Sequence, residues 1–270
     1  MEFERPIYYY RGEDECFPTI ISSIYQLKNK SDTAIGIVEN KLIEEAKIRF
    51  PEIVSGCTDN VEILIKFQHY GLPTRLLDVT SNPLIALYFA CKENGKETDG
   101  RVLICKNIIT PYKEVQAIGT ILGNYGIGSI HSLAKKVKHN PLFANIDSEK
   151  LEFFLQQMID KPLLFRAPQI NPRIKVQQGA FIFTPLKTII PVHNDSADVN
   201  DNESGELESA FHMDKTIIID KDSKKTILDD LDIMGYNEAT IFPEEEHKMH
   251  YIKDHYLRFS EYNWKLDLSD

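Results

Sequence analysis

The chain has 270 residues, 42% hydrophobic and 27% charged, which is the composition of a globular protein able to bury a sizeable core. Its formal net charge of −10 argues against a protein held to nucleic acid by its overall field, while leaving room for a local cationic cleft. Four scattered cysteines, Cys16, Cys57, Cys91 and Cys105, form no C-x-x-C pair, which speaks against a disulfide framework or a cysteine zinc site. In chain order, Ile7–Tyr10 reads as a strand that turns at Arg11-Gly12. Pro18 to about Gln26 reads as a short helix. Glu39–Phe50 carries Leu42, Ile43, Ala46 and Phe50 at helical spacing and is expected to end at Pro51. Val61–His69 repeats that pattern, with Asp59 or Asn60 as its cap.

Gly71 and Pro73 break this helix, and Arg75–Asp78 reads as a short buried strand. Asn82-Pro83 opens a helix running to about Lys92, because proline at the first helical position lacks only an N–H that would be unpaired anyway. That helix is apolar on nearly every side and so belongs in the core. Arg101–Lys106 is a strand, Ser132–Lys138 a basic helix, Ser148–Ile159 a helix and Leu163–Arg166 a strand. Arg173–Phe183 reads as a strand interrupted at Gly179, and Ile189–Val192 as another. Residues 193–210 are acidic and polar and are expected to form a mobile surface loop. Thr216–Asp220 and Ala239–Phe242 read as strands, Ser223–Met234 and His247–Leu257 as helices. Strands and helices mix without a βαβ rhythm, so the expected fold class is α+β, with mixed or antiparallel central sheets flanked by helices. The opening MEFERPIYYY lacks a signal-peptide pattern, and no apolar run approaches the roughly 20 residues of a membrane span. The expected location is the cytoplasm, with no membrane partner.

The densest chemistry lies in Gln68–Ala90, QHYGLPTRLLDVTSNPLIALYFA. His69, Thr74, Arg75, Asp78, Thr80, Ser81 and Asn82 are threaded through apolar residues, and buried polar groups need partners. A helix N-terminus beside hydroxyls and an arginine suits an anion. The structural alternative is an internal Arg75–Asp78 ion pair with Thr80 or Ser81 capping the helix. His69 is a candidate general acid or base, or a satisfied core histidine. His247 and His250 lie one helical turn apart beside Glu244–Glu246, a spacing that can hold a metal, but an exposed charged face is the expected reading and no metal is expected. The glycines of GTILGNYGIG match neither a Walker loop nor a dinucleotide fingerprint.

Tyr10-Arg11-Gly12, the Gln68–Ala90 segment, RIKVQQGAFIF and the tail through IFPEEEHKMHYIK resemble the FRG domain, a bacterial family named for an aromatic-Arg-Gly motif. The resemblance is expected to extend over residues 1–270 as a single FRG-type domain, weakest at 107–147 and in the acidic loop. It implies no agreed chemistry. The order of the motifs further resembles the ADP-ribosyltransferase superfamily of the Arg/Ser-Thr-Ser/Glu type, and that resemblance extends to the fold. Carried over, Arg11 and Gly12 hold the NAD phosphates or ribose, Thr80-Ser81 is the hydroxyl turn, and Gln177 or Gln178 takes the place of the catalytic glutamate. His69, Arg75 and Asn82 join the expected NAD-binding set. A glutamine supplies no negative charge to an oxocarbenium-like transition state, so Glu13 or Asp78 is needed to supply it. The implied function is an ADP-ribosyltransferase-like enzyme that uses NAD as substrate, a bacterial toxin or anti-phage defence effector. It would act on a macromolecular target and answer to an antitoxin or regulatory partner. Two alternatives stand beside it: a non-catalytic nucleotide-sensing or protein-interaction module, and a nucleic-acid-cleaving enzyme using His69, Arg75 and Asp78.

Overall fold

A computed structural model describes residues 8–26, 35–92, 97–106, 109–122, 130–141, 143–184 and 207–260. The first strand is β1 (Tyr10–Glu13), followed by α1 (Ser23–Gln26), α2 (Ile35–Arg49), α3 (Pro51–Val54) and α4 (Asn60–His69). Next come β2 (Leu76–Thr80), α5 (Pro83–Cys91), β3 (Gly100–Ile104), α6 (Tyr112–Leu122), α7 (Ile130–Val137) and α8 (Ser148–Asp160). The chain continues through β4 (Leu163–Phe165), α9 (Pro172–Val176), β5 (Gly179–Phe183) and β6 (Ile217–Ile219), then α10 (Lys224–Ile233), α11 (Glu238–Ile241) and α12 (Glu245–Ser260). The strands form one six-stranded sheet in the order β4-β5-β2-β1-β3-β6, with every neighbouring pair antiparallel. This is the α+β class read from the sequence.

Helix starts follow their caps. The Asp59 carboxylate accepts from the Val61 and Glu62 N–H groups at 2.8 and 2.9 Å and so opens α4. Asn82 accepts from Leu84 N–H and Pro83 takes the first turn of α5. Asn171-Pro172 uses the same device to open α9, with Asn171 accepting from Ile174 N–H at 2.8 Å.

Several sequence expectations are corrected. Arg11-Gly12 lies inside β1, not in a turn after it. Pro51 does not only end a helix; it begins α3. Residues 172–176 are helical, because the Asn171 cap and Pro172 outweigh the strand-like alternation of Ile174 and Val176. Residues 238–241 are also helical: Asn237 and Thr240 form a reciprocal capping box, which outweighs the β propensity of a short Thr-Ile-Phe run. Ile189–Val192 and residues 193–206 of the expected acidic loop lie outside the described residues. At its far end Leu207 and Ala210 are fully buried, so the loop does not extend to 210.

The sheet has a core on each face. Leu76, Phe181 and Phe183 join α2, α4, α6, α7 and α8 in one apolar cluster. Leu77, Val79, Leu103 and Ile182 point the other way, toward Leu207, Ala210 and Phe211, as the two-residue period of a strand requires. α5 lies directly on β1 and β3. A Cβ on Gly12 would stand 1.8 Å from the Ala86 carbonyl oxygen, and one on Gly100 2.1 Å from that of Ala90. Glycine on the strands and alanine on the helix permit this approach, and it explains the Arg-Gly pair better than a turn does.

Candidate functional site

Neighbouring strands part beside α5. β2 and β5 are paired over five residues, Leu76↔Phe183 through Thr80↔Gly179, but β1 meets β2 at Tyr10↔Thr80 alone among the described residues. Beyond that pair the strands diverge, and a cleft of about 260 Å³ opens there. Its walls come from α4, β1, β2, α5 and the α9–β5 segment. The apolar part is Ile65, Ile85, Phe89 and Phe181; the polar part includes Arg11, His69, Asp78, Arg173 and Gln177. That volume lies just under the roughly 300–1,000 Å³ typical of small-molecule pockets.

Arg11, Thr80 and Gln177 line this one cleft, with Gly12 and His69. Arg11 donates from Nε to Glu13 Oε1 at 2.9 Å and from Nη1 to the Asp78 carbonyl at 3.0 Å. Among the described residues its Nη2 has no hydrogen-bond partner, so one guanidinium edge is left uncommitted in the cleft wall. Thr80 is more committed. Its hydroxyl donates to the Gln177 carbonyl at 2.7 Å and accepts from Asn82 N–H at 3.0 Å. A hydroxyl has one proton, so Thr80 offers a ligand a lone pair and mainly fixes Gln177 beside the start of α5. The Gln177 amide nitrogen donates to the Ile241 carbonyl at 3.3 Å, leaving its side-chain oxygen for the cleft.

The remaining sequence candidates stand outside the lining. Ser81 bonds the Gln178 carbonyl through both its N–H and, at 3.4 Å, its hydroxyl. Asn82 caps α5 and donates to the Tyr236 hydroxyl at 3.2 Å. Gln178 is exposed, with φ of 47°. Glu13 is buried between Arg11 and Arg101, whose Nε donates to its other oxygen at 2.8 Å. Its two oxygens are taken by two guanidinium groups, and it is not among the cleft's lining residues. Arg75 is fully buried and pairs with Glu39 of α2, not with Asp78. The His69–Arg75–Asp78 trio of a nucleic-acid-cleaving enzyme is therefore not assembled.

His69 borders the cleft with its imidazole held below the ordinary histidine pKa. Burial is the main cause, the Arg173 charge adds to it, and Glu244 opposes it. The Glu244 contact is 3.8 Å, too long for a hydrogen bond, so desolvation wins and the ring is neutral at pH 7. His247 and His250 both pair with one carboxylate. Both turn their Nδ1 atoms to Glu238 at 2.7 Å, and among the described residues no group of three or more potential ligands is arranged around a cation site. No described helix is long and apolar enough to cross a membrane.

Three polar lining residues escaped the sequence reading, Gln68, Asn171 and Arg173, as did the apolar ones. Gln68 was legible in principle, as a polar residue beside His69 on the last turn of α4. Arg173 was hidden by reading 173–183 as one strand, although the Asn171-Pro172 start repeats Asn82-Pro83 and could have revealed it.

No curated protein and no solved structure matches the chain. The FRG domain family matches residues 6–99, a span that holds Arg11, Gln68, His69, Asp78 and Thr80 but stops before Arg173 and Gln177. The sheet draws strands from both sides of residue 99, so the cleft combines matched and unmatched parts of the chain. Residues 6–99 thus carry a match to the FRG domain, and the rest of the chain lies outside it.

Proposed function

We propose that the cleft binds NAD and that the protein is an ADP-ribosyltransferase-like enzyme. The supporting observation is the convergence of Arg11, Thr80 and Gln177 on one cleft, as the order of the motifs requires. In this reading the free edge of Arg11 takes a phosphate or ribose oxygen, with Arg173 as a second cation. Ile85, Phe89 and Phe181 receive an aromatic ring. Gln177 accepts from a ribose hydroxyl. The macromolecular target and a role as toxin or defence effector belong to the same proposal.

The test is incubation of the protein with NAD, alone and with cell lysate, following nicotinamide release and label transfer while calorimetry measures binding. Release or transfer supports the reading; folded protein that neither binds nor cleaves NAD refutes it. A second reading, a nucleotide-binding module without turnover, is favoured by the glutamine at 177 and by the commitment of the Thr80 proton to Gln177. Tight binding without nicotinamide release selects it.

A further inference from the structure

Thr74, Gln68 and Asp78 of the central motif form, with Ser23, one hydrogen-bonded chain that ends in the cleft. Ser23 and Thr74 are tied twice, Thr74 N–H donating to the Ser23 hydroxyl at 2.9 Å and that hydroxyl to the Thr74 carbonyl at 3.1 Å. The buried Thr74 hydroxyl donates to the Gln68 side-chain oxygen. The Gln68 amide nitrogen then donates to Asp78 Oδ2 at 2.6 Å. With its oxygen taken by Thr74, the Gln68 amide has a fixed orientation and presents only N–H to the carboxylate. Arg11 binds the Asp78 carbonyl from the other side. Asp78 is thus held at both its main chain and one carboxylate oxygen, and among the described residues Oδ1 has no partner. Strand alternation places Asp78 on the same face as Thr80, about 7 Å along β2, and both line the cleft.

We infer that Asp78 is the catalytic carboxylate of this site, with Gln68 and Thr74 as its positioning residues. The inference rests on the reading of the cleft as an NAD site. It resolves the shortfall left by Gln177: the charge comes from β2, in a carboxylate preorganised before substrate arrives. In the step it serves, the bond between ribose C1′ and the nicotinamide nitrogen breaks, and nicotinamide leaves neutral with the bonding pair. Positive charge develops on the ribose, where the Asp78 carboxylate stabilises it. Water, or a nucleophile of the target, forms the new bond to C1′ and gives up a proton, which Asp78 accepts and passes to solvent.

Asp78→Asn tests this with little risk to the fold, because Asp78 is exposed and asparagine keeps an oxygen for Gln68. Its nicotinamide release should fall by roughly 100-fold or more, with NAD affinity by calorimetry within a few-fold of wild type. Gln68→Ala should lower kcat while leaving KM nearly unchanged, a split that simple destabilisation does not produce. Asp78→Asn that keeps pace with an active wild type overturns the role of Asp78 alone. Wild type that binds NAD without turnover overturns it and leaves the nucleotide site; wild type that does not bind NAD overturns both.

Discussion

Arg75 sits in the centre of the motif, yet its side chain contributes to stability and not to the cleft. Its Nε and Nη2 donate to the two oxygens of Glu39 at 2.7 and 2.5 Å, with the two side chains 0% and 2% exposed. The guanidinium also stands 5.6 Å from the Phe183 ring. Arg75→Met keeps much of the side-chain volume but strands the Glu39 carboxylate without its counter-charge. Breaking a buried pair from one side costs about 3–5 kcal/mol, against a total of roughly 5–15 kcal/mol for a folded domain. At a urea slope of about 3 kcal/mol/M, the unfolding midpoint followed by circular dichroism should fall by roughly 1–2 M. Arg75→Met combined with Glu39→Leu removes both charges and should recover most of the loss, because the pair's net worth over an apolar replacement is small. Ligand affinity of the folded fraction should not change. A midpoint that stays put in Arg75→Met, or a loss of affinity without a loss of stability, would refute the assignment of Arg75 to the scaffold.

Gly12→Ala places a methyl group 1.8 Å from the Ala86 carbonyl oxygen, forcing α5 off the sheet; a loss of about 1–3 kcal/mol or more is expected in the same urea assay. Thr80→Val leaves the Gln177 carbonyl and Asn82 N–H without their shared partner, for a loss of about 1–3 kcal/mol and weaker ligand binding as Gln177 loosens. His69 should titrate below 6.5 by NMR because it is buried, and the stability it contributes, full above 6.5, should decline as pH falls through that lowered value. His250 should titrate above 6.5 through its hydrogen bond and attraction to Glu238, and return toward 6.5 in Glu238→Gln. Burial pushes the Glu238 carboxyl up, but its bonds from His247 and His250 outweigh this and hold it below 4.5. The Glu238–His250 contact is therefore strongest between pH 4.5 and 6.5, lost upward through the His250 value and downward through the Glu238 value. A wild-type His250 at or below 6.5 contradicts it.

What could be read from the sequence is what local chemistry decides. Asn82-Pro83 and Asp59 mark helix starts because a short acceptor before the first turn satisfies N–H groups within three residues. The apolar run 84–91 reads as a buried helix whatever its neighbours are. The misreadings at 172–176 and 238–241 share a cause: over four or five residues, apolar alternation cannot separate a strand from one helical turn, and the cap decides. Long-range partners leave no local trace. Nothing within several residues of Arg75 indicates that Glu39, 36 positions earlier, takes its charge. The same holds for Glu13, which looks available beside Arg11 until Arg101 arrives from β3.

The division of labour within the motif follows from which strand face each residue occupies and what already holds it. Arg75 is sealed in the core, and Leu77 and Val79 belong to the face packed on Phe211. Asp78 and Thr80 fall on the other face, where β1 has left β2. Of these two, Thr80 has given its proton to Gln177 while Asp78 keeps an oxygen free. An in-register pairing of β1 with β2 past Tyr10↔Thr80 would bring Gly12 opposite Asp78 and close the cleft. The Arg11 guanidinium, bonded to the Asp78 carbonyl, occupies that gap instead. Arg11 is therefore both a wall of the cleft and a reason that it stays open. Arg11→Lys, which keeps the charge but not the fork that reaches Glu13 and Asp78 together, should loosen β1 from β2 and weaken ligand binding more than loss of one ligand contact alone would.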